Sequence, residues 1–143
     1  MTPQEIKQFM QRFVQETLNQ KNLDVLNEMV AEDFVEHVPF PGQGPGREGL
    51  RYAITTLLSA FPDMKWTVEE QIAEGEKVVS RFTMTGTHQG EFLGIAATGR
   101  PIQVWGMVLD VVREGKFAES RILLDMLGLM GQLGVIPSAG AEA

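Results

Sequence analysis

Two kinds of side chain in this sequence could move a proton near neutral pH: an aspartate inside an apolar run, and two histidines. Asp125 follows Ile122-Leu123-Leu124 and precedes Met126-Leu127. An ionised carboxylate is costly there unless it is paired, hydrogen-bonded or solvated from a cavity. Such surroundings raise its pKa toward the range that acid/base catalysis needs. Aspartate is also a preferred helix N-cap, so a purely structural reading stands beside the chemical one. His88 falls where a β-rich stretch meets a glycine-rich one. It could hold a substrate carbonyl or enolate, or simply bond the backbone at a strand end. His37, beside Val38-Pro39-Phe40, is placed at the mouth of a cavity, with or without a chemical role.

Other charged residues near Asp125 do not complete a pair with it. Glu119 is six positions away on one extended stretch, about 20 Å at roughly 3.3 Å per residue, and Arg121 is about 13 Å away by the same count. Arg121 either binds a ligand's polar end or forms an ion pair with Glu119 or Asp110. Thr98-Gly99-Arg100 reads first as a turn. With no cysteine there is no thiolate nucleophile, disulfide or Cys-zinc site, and two histidines without an acidic cluster predict no metal and no cofactor.

The elements that must position these groups follow from hydrophobic period. Thr2-Pro3-Gln4-Glu5 is a capping box with proline at the first helical position, and Ile6, Phe9, Met10, Phe13 and Val14 follow at helical spacing. A short second helix fits Leu23 to Met29, and Phe34 to His37 is a brief extended piece. The loop VPFPGQGPG then ends at about Gly46. A third helix carries Leu50, Ala53, Ile54, Leu57, Leu58 and Phe61 to a stop at Pro62-Asp63. From Lys65 the pattern becomes strands, at about Lys65 to Ala73, Lys77 to Thr87, Pro101 to Arg113 and Lys116 to Asp125, with turns at Glu74-Gly75 and Glu114-Gly115. Helices followed by a meander predict an α+β domain, a cone of three helices across a curved antiparallel sheet that encloses a ligand cavity. One domain is expected over 1–137, with 138–143 a short disordered tail.

Pairing Arg113 with Lys116 sets Asp125 opposite Val104 and Leu123 opposite Gly106. Arg121, Glu119, Val108 and Asp110 then share one sheet face, and Trp105, Met107, Leu109, Ile122 and Leu124 the other. A bulge would shift this assignment by one residue. Both faces being partly apolar, the outer one predicts a homodimer. The formal charge of -7 without a basic run argues against a nucleic-acid partner. The start MTPQEIKQFM lacks a basic then apolar leader, and no run of about 18 apolar residues occurs, which predicts a cytoplasmic protein with no membrane partner.

The stretch THQGEFLGIAATGRPIQVWGM followed by GKFAESRILLDMLGLMGQLGVIP resembles the SnoaL-like polyketide cyclases, a branch of the superfamily named after nuclear transport factor 2. It carries a Thr-His-x-Gly signature, a Thr-Gly-Arg turn and a closing segment from Asp125 to Gln-Leu-Gly. The resemblance implies the cone fold, usually as a homodimer. It also implies cofactor-free intramolecular aldol closure of a polyketide-like substrate, with one aspartate as acid/base. That aspartate matches Asp125, and His88 would stabilise developing charge. Many members carry Trp where this chain has Arg121. The walls of the binding site are expected from His37, Phe40, Trp66, Phe82 and Met84, together with Phe92, Val104, Arg121 and Leu123. The larger aromatic and Met side chains among them also suit an ordinary core. Epoxide hydrolysis, isomerisation and ligand binding without catalysis are the alternatives on the same fold; the first needs a second carboxyl, and none stands out.

Overall fold

A computed structural model describes residues 1–136; the expected tail at 138–143 lies outside the described residues. Helix α1 (Pro3–Phe13) begins with the reciprocal cap the sequence requires, Glu5 N–H donating to Thr2 Oγ1 at 3.1 Å and Thr2 N–H to Glu5 Oε1 at 2.8 Å. Ile6, Met10 and Phe13 form its buried stripe. The helix then widens into a π-helical turn over Val14–Asn19. This turn delivers Asn19 to the sheet, where its amide donates to Trp66 O at 2.9 Å and accepts from Trp66 N–H at 2.7 Å.

A 3₁₀ turn at Leu23–Val25 leads into the short α2 (Leu26–Met29), which runs directly into strand β1 (Val30–Glu36). The brief extended piece expected at Phe34 to His37 is thus the end of a longer strand. Helix α3 (Gly46–Ala60) turns Ala53, Ile54, Leu57 and Ala60 inward. Gly46 opens it at φ +74, and a Cβ there would stand 2.7 Å from Glu32 O, so both backbone angle and space call for glycine. Arg47 Nε donates to Val30 O at 2.9 Å and Arg51 to Leu23 O at 3.1 Å, tying α3 to the start of β1 and the turn before α2.

Strands β2 (Lys65–Glu74), β3 (Lys77–Thr87), β4 (Pro101–Arg113) and β5 (Lys116–Leu124) form the expected meander. The sheet order is β1-β5-β4-β3-β2, and β1 lies parallel to β5. The meander is antiparallel as expected, and β1, which precedes the α3 crossover, adds a fifth strand parallel to β5. Burial alternates along β4, with Ile102, Val104, Val108 and Asp110 inward and Gln103, Trp105 and Met107 outward. A fourth helix, α4 (Met126–Leu133), packs against β4 and closes one end. No helix among the described residues is long and apolar enough to cross a membrane.

One register detail decides the site. Arg113 pairs with Lys116 and Val112 with Phe117 as the hairpin predicts, but Val111 pairs with Glu119. Ala118 is therefore an extra residue in β5, and beyond it every partner shifts by one. Asp110 stands opposite Ser120, Val108 opposite Ile122, and Gly106 opposite Leu124. Ile122 and Leu124 accordingly belong to the inner face with Asp110, while Arg121 joins Trp105, Met107 and Leu109 outside. This corrects the face assignment made from the turn alone.

Candidate active site

The helices and the concave face of the sheet enclose a cavity of about 360 Å³. Its walls are mostly apolar, from Phe13, Leu18, Leu57, Trp66, Phe82 and Phe117 among others. Polar side chains enter at few points, and Glu36, Ser120 and Asp110 form a row across three neighbouring strands. Glu36 on β1 is the register partner of Ser120 on β5, which is in turn the partner of Asp110 on β4. Strands lie about 4.8 Å apart, so the two carboxyl-bearing residues flank the serine with backbones about 10 Å from each other. Ser80 on β3 adds a hydroxyl that accepts from Gln71 Nε2 at 3.1 Å.

Burial controls the charge of this row. Desolvation pushes the Asp110 carboxyl from 3.8 up to about 8; the Ser120 hydroxyl opposes the shift and the nearby Glu36 carboxylate adds to it. At neutral pH Asp110 is a neutral acid, able to donate. Its Oδ2 is buried with no hydrogen-bond partner. Glu36 is also raised, first by burial, against hydrogen bonds from the Val38 N–H at 3.0 Å and from Ser120. A buried acid beside a second carboxyl can divide donor and acceptor roles between them. Among the described residues no group of three or more acidic or histidine side chains could hold a metal ion.

The expected site residues separate into three sets. Phe40, Trp66 and Phe82 line the cavity, and Leu123 touches its edge while remaining 66% exposed. Met84, Phe92 and Val104 are buried in the core but do not line the cavity. His37 and Arg121 are not in its wall either. The His37 Nε2 meets Glu119 Oε1 at 2.8 Å on the outside, where Arg113 also reaches Glu119 at 2.7 Å. Arg121 lies on the outer face, so its suggested ion pair with Asp110 is excluded by the sheet between them.

Asp125 and His88 are both outside the cavity wall among the described residues. Asp125 is the N-cap of α4, its Oδ1 accepting from Gly128 N–H at 2.9 Å, as the structural reading proposed. His88 is fully buried and accepts at Nδ1 from Thr98 N–H at 3.2 Å, with Thr98 Oγ1 2.9 Å away. Its own backbone bonds Arg100 O and Gly99 N–H. These bonds close the glycine-rich insertion on itself.

The sequence profile of the SnoaL-like polyketide cyclases matches residues 8–133. The chain belongs to that family. TsrD from Streptomyces laurentii is 30% identical and superimposes with a TM-score of 0.86 over 95% of this chain and 99% of that one. IdmH, a candidate polyketide cyclase from Streptomyces antibioticus, is 31% identical, with a TM-score of 0.78 over 90% of this chain and 98% of that one. AclR, a candidate hydroxylase from Streptomyces galilaeus, is 26% identical, with a TM-score of 0.83 over 96% and 85%. No curated protein matches the chain. This SnoaL-like chain therefore has the cone of nuclear transport factor 2-like proteins, with four helices and a five-stranded curved sheet within its described residues.

Glu36, Ser80 and Ser120 were not expected here from the sequence, and Asp110 was expected only as an ion-pair partner of Arg121. A signal for Asp110 was present, because Val108-Leu109 and Val111-Val112 flank it as apolar residues flank Asp125. The register read from the turn placed Arg121 on the same sheet face and made Asp110 look like half of an ion pair with it.

Proposed function

We propose that this protein catalyses a cofactor-free ring closure of a small, largely apolar substrate bearing several carbonyls, by proton transfer between Asp110 and Glu36. The observation that carries this reading is the placement of Asp110 in the lining of an apolar cavity, its carboxyl buried, one oxygen without a hydrogen-bond partner, and its pKa pushed up by desolvation to about 8. Glu36, as carboxylate, removes a proton from carbon activated by a carbonyl. The enolate carbon bonds to a second carbonyl carbon of the same molecule, whose oxygen takes the Asp110 proton. The proton then passes from Glu36 back to Asp110, restoring both groups, and Ser120 lies between them. Apolar walls fold the chain and exclude water, so orientation lowers the barrier by several kcal/mol. Asp125, the aspartate singled out by family resemblance, serves in this reading to anchor α4, and Leu124 and Met126 on either side of it line the cavity.

A simple ketone tests the proton transfer without the natural substrate. In deuterium oxide the protein should exchange the methyl protons of 2-acetylnaphthalene, followed by NMR, and Asp110→Asn should abolish most of that exchange. Exchange that persists in Asp110→Asn at the unsubstituted rate rejects the assignment.

The same pair of carboxyls supports a second reading, water addition to an epoxide. Glu36 would take a proton from water as its oxygen attacks one ring carbon, while Asp110 protonates the departing oxygen. The sequence alone offered no second carboxyl; Glu36 and Asp110 flanking one serine provide it.

We also propose that a second copy of the chain covers the outer sheet face. Trp105, Met107 and Leu123 are 49%, 43% and 66% exposed there, which is unusual for large apolar side chains grouped on one face.

A further inference from the structure

Three non-glycine residues among those described have positive φ: Lys21, Leu93 and Glu114. Lys21 and Glu114 are charged and exposed, whereas Leu93 is apolar and lines the cavity. It sits in the glycine-rich insertion between β3 and β4, which the acid/base row does not use. Of the cavity-lining residues, Val38, Pro39, Pro41, Leu93 and Leu123 are exposed, so these five mark its mouth. All five are apolar.

Leu93 is held at this mouth against its own backbone preference. Phe92 and Ile95 exchange two backbone hydrogen bonds of 2.9 Å, and the residues between them, Leu93 and Gly94, have φ of +49 and +82. A two-residue turn with both φ positive favours Asn-Gly; Gly94 meets that demand and Leu93 does not. The surroundings fix the turn. Phe92 is buried, with its ring centre 5.3 Å from Phe61 and 6.0 Å from Phe40, and the Gln89 and Gly90 N–H groups donate to Ala60 O at 3.0 and 3.1 Å. A Cβ on Gly90 would collide with Ser59 O, so the insertion lies tight against the end of α3. A left-handed leucine persists only where its neighbours impose it, and such strain gathers at ligand clamps. Here it presents a side chain that is 40% exposed, which an apolar ligand in the mouth would cover.

We infer that Leu93 is a specificity residue of the cavity mouth, whose side chain meets the ligand and limits its thickness, so that flat molecules are accepted and globular ones disfavoured. This rests on the reading of the cavity as the active site and adds a shape to the substrate. A branched side chain standing in an opening narrows it in one dimension. A planar ligand passes that constraint edge-on, and a spherical one of the same polarity does not.

Two methyl ketones test this. 2-Acetylnaphthalene is flat, and 1-acetyladamantane is also apolar but nearly spherical. Titration of ¹⁵N-labelled protein followed by NMR reads their binding whether or not proton exchange occurs. The unsubstituted protein should prefer the flat ketone. Leu93→Gly adopts positive φ without strain and removes the side chain, so the ratio of the two affinities should move about tenfold toward the globular ketone. Leu93→Asn also suits the turn but stays close to leucine in size, so the original preference should remain. Neither substitution should lower the melting temperature, because both relieve the turn. The proposal is overturned if the unsubstituted protein does not prefer the flat ketone, or if the ratio is unchanged in Leu93→Gly, as a merely loosened fold would leave it. A lower melting temperature in Leu93→Asn also overturns it, since leucine would then be kept for packing. Protein that shows the expected ratios yet exchanges no methyl protons would count against the acid/base reading alone, and normal exchange with an unchanged ratio against Leu93 alone.

Discussion

Asp110 and Ser120 face each other across β4 and β5 on the cavity side, because Ala118 is an extra residue that shifts the pairing between them. Without that bulge Glu119 would stand opposite Asp110, and two carboxyls would meet directly in the wall of an apolar cavity. The bulge instead sends Glu119 outward to His37 and Arg113 and places a hydroxyl between Asp110 and Glu36.

Asp110→Asn should lower the exchange or turnover rate by roughly 10²–10⁴, the usual contribution of one general acid/base, with a much smaller change in KM. Asp125→Asn should leave both rate and melting temperature nearly unchanged, since Asn and Asp cap helices about equally well. Asp125→Ala should cost about 1 kcal/mol of stability for the lost cap. A large rate loss in Asp125→Asn with Asp110→Asn fully active would reverse the assignment.

Stability should fall as pH rises between about 4 and 8. Asp110 ionises at its ordinary 3.8 when unfolded but holds its proton to about 8 when folded, so unfolding releases a proton across that window. Its contribution is complete below the unfolded value and lost at about 1.4 kcal/mol per pH unit up to the folded one. Glu36, also raised, adds to the same trend. Urea midpoints measured from pH 5 to 8 should decline in the unsubstituted protein and much less in Asp110→Asn. Parallel lines for the two would contradict the buried-acid description.

Gly106 lies in mid-β4, where a Cβ would press on Leu123 O and stand 2.8 Å from Phe82 Cζ. Gly106→Ala should therefore destabilise the fold by about 1–3 kcal/mol, despite alanine's better intrinsic fit to an extended strand, and should tilt the Phe82 ring that backs Trp66. Thermal melting together with the Trp66 indole shift measures both effects. A variant as stable as the parent would mean that the ring yields freely.

The outer face should pair two copies through Trp105, Met107 and Leu123. Light scattering at micromolar concentration is expected to give twice the chain mass, and Trp105→Lys to give a monomer with its melting temperature dependent no longer on concentration. A monomer before any substitution refutes the arrangement.

Local signals in the sequence carried much of the fold. The Thr2–Glu5 cap, the spacing of Ile6, Met10 and Phe13, and the β-rich runs from Lys65 each specify their own element, because capping and hydrophobic period act within a few residues. The motifs around His88 and Asp125 were likewise legible as family resemblance, and the match over residues 8–133 agrees with them. Neither residue's position relative to the cavity could be read that way. The parallel pairing of β1 with β5 joins segments over 80 residues apart, and nothing near Glu36 announces Ser120 as its neighbour. One bulge residue, Ala118, is invisible to composition and period, yet it exchanges the two faces of β5 since side chains alternate with period two. Asp110 owes its raised pKa to that folding: a carboxyl is desolvated only when other elements close over it, and only the tertiary structure decides which one they cover.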